Sequence, residues 1–453
     1  MQNLNPNQNL AQNPKQQQNL KQQSAQNPKS TKTQNQIQNL DSKNLARNLK
    51  LTQKPTQKPT QNLTQNLTPN LNKPNVAIMA DFDIAKRPRP FALTQILKTK
   101  CNLFLIAREC SHIKGTQSFS FPPPRTNAST RTQQEKQILR HNCIHRNFAP
   151  LIYTPNRLHI TEILRSLPKM DLLIVEDITL LPFASEYKAI HHCKIVLDLR
   201  EFYPLEYEDK QWQETLGQFF YFLCQNYLKN ANLCLCVSEN IAKRYKQEFG
   251  IDSRIYYSLP AFFDMRPTSI HKPIEIIYHG FISIDRDSYN LIELAKILGD
   301  DFLVNLMVVS HNQELLDHFT HTAKKVPNIR ILPPVAMQEI IPFCNRFDIG
   351  ILSLQPNSFN NANAMPNKLF EYIQSRLCVI STPIQSIATF LQTYQVGVVS
   401  LGFTPSHLAC TIRSLSPKQI LFHKEQSHFY AKSLSIESNQ HKIMEFLKEL
   451  EIL

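Results

Sequence analysis

Met365-Pro366-Asn367-Lys368-Leu369-Phe370-Glu371-Tyr372-Ile373 runs through Gln374-Ser375-Arg376 into Leu377-Cys378-Val379-Ile380-Ser381, and this stretch decides the fold. Pro366 suits the first turn of a helix, where its missing N–H costs nothing. The apolar run that follows has the texture of a strand buried on both faces, and a helix feeding such a strand is one unit of a parallel sheet.

The same alternation extends outward in both directions. Apolar runs at 274–279, 303–309, 329–332, 349–354, 377–381 and 396–399 read as one series of strands with helices between them. A second series precedes it at 76–80, 103–107, 151–153, 172–175, 195–199, 233–237 and 255–257. Between the two, residues 261–273 carry Pro267 and Pro273 with little periodicity and read as a connector. The expected class is α/β: two Rossmann-like doubly wound domains, 76–260 and 274–435, facing a cleft, with a C-terminal helix over 436–453. Ligands of such sheets sit beyond the carboxyl ends of the strands, so the site is expected between the domains.

Composition narrows the function classes. The 453 residues include 29 Pro, 10 Cys and 8 Gly, and 50 Lys+Arg against 36 Asp+Glu give a formal charge of +14. Residues 1–75 hold ten of those cations and a single acid, Asp41, so +9 of the charge belongs to a tail of Asn/Gln/Lys/Pro near-repeats such as Thr52-Gln53-Lys54-Pro55 and Thr56-Gln57-Lys58-Pro59. Isolated leucines without aromatics cannot bury enough area to offset chain entropy, so the tail is expected to be disordered. Sparse cations and no interleaved aromatics argue against a nucleic-acid partner. No apolar stretch approaches the ~20 residues of a membrane helix, and no secretory signal opens the chain, so a cytoplasmic protein is expected. The cysteines form no C-x-x-C pair and read as scattered thiols. His141 and His145 have i, i+4 spacing without an evident third ligand, so no metal site is expected. No G-x-G-x-x-G follows a strand and no Walker A sequence occurs, which argues against a dehydrogenase and a P-loop enzyme.

Lys368 and the free N–H groups of the helix that Pro366 and Asn367 open would attract a phosphate. Glu371 shares a face with Asn367 and presents a carboxylate able to accept both hydroxyls of a ribose. A capped surface helix with a Lys368–Glu371 pair fits the same residues. The string as a whole resembles the nucleotide-sugar signature of the retaining glycosyltransferases of family 4, a P-x-K-x-x-E-Y run followed by a strand ending in Pro, here Pro383. Four further stretches resemble that family in order: Asp81 to Pro90 with Arg87-Pro88-Arg89, Val196 to Pro204, Cys236 to Ala242, and Tyr278-His279-Gly280.

The resemblance implies a GT-B fold, a nucleotide-diphosphate sugar as donor, retention of anomeric configuration and no metal or other cofactor. It assigns the ribose to Glu371 and the diphosphate to the surroundings of Gly280, Pro366, Asn367, Lys368 and Arg286. Lys368, Arg286 and Arg200 are the expected catalytic cations. The sequence departs from the family at Phe281, where a cation is usual, at Asn363, where a sugar-contacting glutamate is usual, and at Arg200, where a histidine is usual. Asn360, Asn361 and Ser358 are expected to share the role of Asn363. Arg200 points to an acidic or phosphorylated acceptor. Glycine is scarce where the family has Gly-rich loops, which leaves Gly280 as the candidate for close diphosphate approach.

Asp198, Glu201 and Asp177 are expected on the acceptor side, with Glu176 beside them, although Asp198 and Arg200 also fit a plain ion pair. The partner is expected to be a glycan or lipid-linked acceptor. The aromatics of 212–227 fit either a buried interdomain helix or peripheral contact with the inner membrane face. Three rivals stand beside the transferase: a catalytically silent GT-B scaffold or partner subunit, a sugar-nucleotide epimerase of the same fold, and a nucleic-acid-binding protein.

Overall fold

A computed structural model of the chain describes residues 70–127, 130–283 and 287–453. The disorder expected of the tail falls, up to residue 69, outside the described residues, as does Arg286. Residues 70–75, counted with the tail in the sequence reading, are tied to the sheet: Asn102 accepts from the Asn70 N–H at 2.9 Å and donates to the Lys73 carbonyl at 3.0 Å.

Two parallel sheets carry the fold. The first comprises β1 (Asn75–Ala80), β2 (Asn102–Arg108), β3 (Gln117–Phe121), β4 (Leu172–Val175), β5 (Lys194–Leu199), β6 (Leu233–Cys236) and β7 (Ser253–Ile255), in spatial order β3-β2-β1-β4-β5-β6-β7. The second comprises β8 (Ile274–Phe281), β9 (Phe302–Val309), β10 (Ile329–Ile331), β11 (Ile349–Leu352), β12 (Cys378–Ser381) and β13 (Gly397–Val399), in order β10-β9-β8-β11-β12-β13. In each sheet the chain winds outward from its first strand and then returns to the other side of it. The resulting switch points lie between β1 and β4, with Val76 opposite Leu172, and between β8 and β11, with Ile276 opposite Ile349. A crevice opens at the carboxyl ends of such strand pairs.

Every strand in the middle of a sheet is covered twice. Ala77 and Met79 join Phe104, Leu173 and Leu197 in a core on one face of the first sheet, whereas Val76, Ile78 and Ala80 join Leu105 and Ile174 on the other. That second face is completed by Ile443, Phe446 and Leu447 of the Ile436–Glu449 helix and by Leu450, its C-cap residue, so this segment closes the core of the first domain. The Ile436 N–H donates to the Pro260 carbonyl at 2.8 Å and Asn439 donates to the Tyr257 carbonyl at 2.8 Å, fixing the helix across the connector.

Three readings of local structure need correction. Residues 151–153, expected as a strand, fall at the Ala149–Ile152 helix, because Pro150 in its first turn presets the helical φ and offers no ladder N–H. β3 was not expected: Gln117-Ser118-Phe119-Ser120-Phe121 alternates polar and apolar residues as an edge strand does, without the continuous run of a central one. The last strand of the first sheet is Ser253–Ile255, two residues earlier than 255–257. The aromatic Leu216–Tyr227 helix packs Phe219, Leu223 and Cys224 into the core of the first domain. Among the described residues no helix is long and apolar enough to cross a membrane, and the cysteines are free thiols, nine of them buried.

The connector is anchored by a buried ion pair. Lys424, on the Pro417–Tyr430 helix, donates to Asp348 at 3.2 Å, to the Phe347 carbonyl at 2.9 Å and to the Thr268 hydroxyl at 2.8 Å, and both charged side chains are fully buried. Asp348 also accepts the N–H groups of His271 and Glu275, which joins the connector to β8 and β11. Burial works to lower the Lys424 pKa and Asp348 works against it. Removing the cation leaves the carboxylate buried and uncompensated. Lys424→Met is therefore expected to cost about 3–5 kcal/mol in urea unfolding of the full chain, and Lys424→Met with Asp348→Asn less than Lys424→Met alone. A loss below about 1 kcal/mol for Lys424→Met would refute this account.

Candidate functional site

The site is assembled at the switch point of the second sheet. β8 leaves the core at Tyr278-His279-Gly280-Phe281, and Gly280 has φ +117°, a backbone conformation that side-chain-bearing residues rarely adopt. A Cβ at Gly280 would stand 3.3 Å from Lys368 Nζ, so the bare glycine both sets the turn and admits the lysine. Lys368 lies in the first turn of the Asn367–Gln374 helix, whose N-cap Pro366 makes no side-chain cap bond. Its Nζ sits over the Tyr278 ring at 4.0 Å, and among the described residues it has no carboxylate within ion-pair distance. Gly280, Pro366, Asn367, Lys368 and Glu371 are therefore one cluster, with a helix N-terminus and an uncompensated cation facing the strand end. This charge pattern attracts phosphate.

The helix is held in this orientation by its buried side. Tyr372 packs its ring against the backbone of Gly350 in β11, where a Cβ would come within 2.5 Å of the ring, and it also meets the His279 ring edge-on at 5.1 Å between centroids. Its hydroxyl accepts from the His279 N–H at 3.4 Å. This contact turns Glu371 toward His279, whose Nε2 lies 3.4 Å from Glu371 Oε2 without a hydrogen-bonded partner among the described residues. The two are not a charge pair. Burial, reinforced by Lys368, pushes the His279 pKa down to about 3, so the imidazole is neutral. Burial pushes Glu371 up to about 7, with Lys368 opposing, so its carboxyl is poised between neutral and ionised near physiological pH. His279 was named in the sequence only within Tyr278-His279-Gly280 and given no role, although a histidine closing an otherwise apolar strand and preceding a lone glycine was the available signal.

The residues expected on an acceptor side are distributed differently. Asp198 is buried at the end of β5 and receives both Nε and Nη2 of Arg89, at 2.5 and 2.6 Å, so its ion-pair partner is Arg89. Arg89 also donates to the Tyr256 carbonyl, which ties β5, β7 and the Pro88–Leu97 helix together. Arg200 donates to the Glu176 carbonyl at 2.7 Å and lies over the Phe82 ring at 4.9 Å. Burial works against its charge, but Tyr203, Glu176, Asp198 and Asp177 outweigh it and raise its pKa. Glu176 is buried, and desolvation and then the neighbouring Asp198 raise its pKa, with Arg200 and Arg89 opposing. Asp177 accepts from the Thr179 N–H at 2.8 Å and hydroxyl at 2.6 Å, capping the turn after β4. Glu201 is exposed one residue beyond Arg200.

Asn360 and Asn363 join the two domains. Asn360 donates to the carbonyls of Phe202 at 3.2 Å and Leu205 at 2.9 Å and accepts from the Phe202 N–H at 2.7 Å. Asn363 accepts from Asn240 at 2.8 Å and donates to the Phe359 carbonyl at 2.8 Å, so both ends of its amide are engaged. The Arg244 guanidinium lies over Phe202 at 5.4 Å and over Phe359 at 5.5 Å, across the same junction. Ser358 caps the Phe359–Ala362 turn through the Asn361 N–H. The Phe281 ring lies tilted against His311 with centroids 4.5 Å apart, where the family resemblance places a cation. Among the described residues no three His, Cys, Asp or Glu converge as a metal site would require.

No protein-family model and no curated protein sequence matches this chain. Solved structures do match. Sucrose-phosphate synthase from Thermosynechococcus elongatus superposes with a TM-score of 0.62 at 9% identity, covering 83% of this chain and 99% of its own. Anabaena HepE, solved in complex with UDP and glucose, gives 0.61 at 11% identity, covering 83% and 100%. An alpha,alpha-trehalose-phosphate synthase (UDP-forming) from Burkholderia vietnamiensis gives 0.57 at 9% identity, covering 84% and 100%. At these identities the likeness establishes the fold, two Rossmann-like α/β domains of the GT-B type.

Proposed function

We propose that this chain is a nucleotide-sugar glycosyltransferase of the retaining, family 4 kind, transferring a sugar to a hydroxyl of a glycan or lipid-linked acceptor in the cytoplasm. The observation that carries the reading is the approach of Lys368 to Gly280 at the end of β8, with Glu371 one helical turn behind it. Phosphate oxygens fit the lysine, the helix N-terminus and the bare glycine backbone; a ribose diol fits Glu371, to which it would donate both hydroxyl hydrogens. The structural neighbours solved with UDP and glucose support the same assignment by fold.

In this mechanism the bond between the anomeric carbon and the diphosphate oxygen breaks first, and the electron pair leaves with the diphosphate. Lys368 and the helix N-terminus stabilise that charge without a metal or other cofactor, while the sugar becomes oxocarbenium-like. The acceptor hydroxyl bonds to the same face, and its proton passes to the departing diphosphate. Arg286 is proposed to assist from the loop after β8.

A second reading, a GT-B scaffold that binds nucleotide without turning it over, is favoured by one observation: the amide of Asn363 is occupied by Asn240 and Phe359. Nucleotide binding by calorimetry separates both from a protein without a donor site, and product formation from a nucleotide sugar separates them from each other. Failure of UDP, GDP and ADP and their sugars to bind would refute both.

Two outcomes follow from the Glu371 geometry and charge. Glu371→Ala should weaken nucleotide binding by about 2–3 kcal/mol, roughly 30- to 150-fold, because hydrogen bonds to an ionised carboxylate are lost; an unchanged affinity would refute the ribose assignment. Ligand hydroxyls favour the ionised carboxylate, whose free-state pKa is about 7. Nucleotide affinity should therefore fall as pH drops from 8 to 6 and approach a tenfold loss per pH unit below that pKa. Neutral His279, held near 3, does not titrate in this window. The fall should be absent in Glu371→Gln; its persistence there would assign it to another group.

A further inference from the structure

The acceptor side holds a second cationic feature that the donor chemistry does not use. β1 ends before Asp81-Phe82, and the loop returns to the Pro88–Leu97 helix through Arg87, its N-cap residue, which makes no side-chain cap bond. The Arg87 guanidinium lies 5.4 Å from the centroid of the half-buried Phe82 ring, and that of Arg200 lies 4.9 Å from the same centroid. The two guanidinium groups therefore share one aromatic neighbour, and one phosphate or carboxylate serves two such groups when each donates to a different oxygen.

The surrounding charges steady Arg200 through Tyr203, Glu176, Asp198 and Asp177 but leave Arg87 without a carboxylate partner among the described residues. Asp81 is taken by Arg157 at 2.6 Å and Arg108 at 3.5 Å. Asp198 is held in two bonds by Arg89, and Asp177 caps its own turn. Arg87 is exposed and has no carboxylate within ion-pair distance among the described residues. Its pKa is lowered by burial and then by the like charges of Arg200 and Arg108. An anion placed between the two guanidinium groups would relieve that repulsion.

We propose that Arg87 and Arg200, gathered over Phe82 at the carboxyl end of the first sheet, bind an anionic oxygen group, a phosphate or carboxylate, carried by the acceptor. The inference rests on the glycosyltransferase reading for the ligand's role as acceptor, while the anion site stands on its own geometry. It makes Arg87 a specificity-determining residue, selecting acceptors by a charge set apart from the reacting hydroxyl.

The test is a titration of the full chain with inorganic phosphate, and separately with acetate, at constant ionic strength, read by calorimetry. Wild type, Arg87→Gln, Arg200→Gln and Lys368→Gln are compared, with UDP and GDP titrated into each. Arg87→Gln replaces an exposed side chain, so it carries the test if Arg200→Gln is destabilised. Phosphate affinity at least tenfold weaker in Arg87→Gln, and a component retained in Lys368→Gln, is the expected result. The same dependence with acetate assigns a carboxylate-tolerant site; its absence with acetate assigns a phosphoryl site. Phosphate binding unchanged by Arg87→Gln, or lost only in Lys368→Gln, overturns the proposal, and nucleotide binding retained in that case leaves the donor reading intact. Arg87-dependent phosphate binding in a protein that binds neither nucleotide sustains the anion site and removes the donor reading.

Discussion

A strand buried on both faces offers only its ends to chemistry, and this constraint organises the molecule. In both sheets the ladder is parallel, so each strand is reached by a crossover that covers a face with helix. Side chains along β1, β4, β8 and β11 are consumed by core packing. What remains for chemistry is the short stretch at or just beyond each carboxyl end, at Asp81-Phe82, Glu176-Asp177, Arg200-Glu201 and His279-Gly280-Phe281. Lys368 and Glu371 meet the last of these stretches from the Asn367–Gln374 helix, which lies between β11 and β12.

Desolvation then divides those residues into two kinds. Asp198 with Arg89 and Asp348 with Lys424 are buried pairs with their hydrogen bonds filled, and they join elements distant in sequence. Lys368 and Arg87, by contrast, are cations without a described carboxylate partner, each set beside an aromatic ring. An aromatic face holds a cation in place while leaving its N–H donors for a ligand. Glu371 and His279 belong to neither kind: burial has removed the charge from the imidazole and brought the carboxyl close to neutral pH, so the site's net charge is set by Lys368 and by the state of a single acid.

Much of this was legible in the order of residues. The apolar runs marked twelve of the thirteen strands at or within two residues of their positions, because central parallel strands need unbroken apolar sequence. Glu371 and Lys368 were legible because three residues on one helix fix their relation, and Gly280 because a lone glycine ends a buried strand. The edge strand Gln117–Phe121 and the turn of helix at Ala149–Ile152 were not, since alternation in one and a proline in the other break that pattern.

The sequence by itself determined the class of fold, the two series of strands and the local Lys368–Glu371 cluster, because periodicity and i, i+3 or i, i+4 spacing are local properties of the backbone. Only the tertiary structure decided which carboxylates are locked and which cations are available. Asp198 finds Arg89 across 109 residues, Asn363 finds Asn240 across 123, and the Ile436–Glu449 helix returns to cover the first sheet. Such pairings are set by where crossovers bring distant strand ends together and by how completely water is excluded there, and neither is written in the spacing of neighbouring residues.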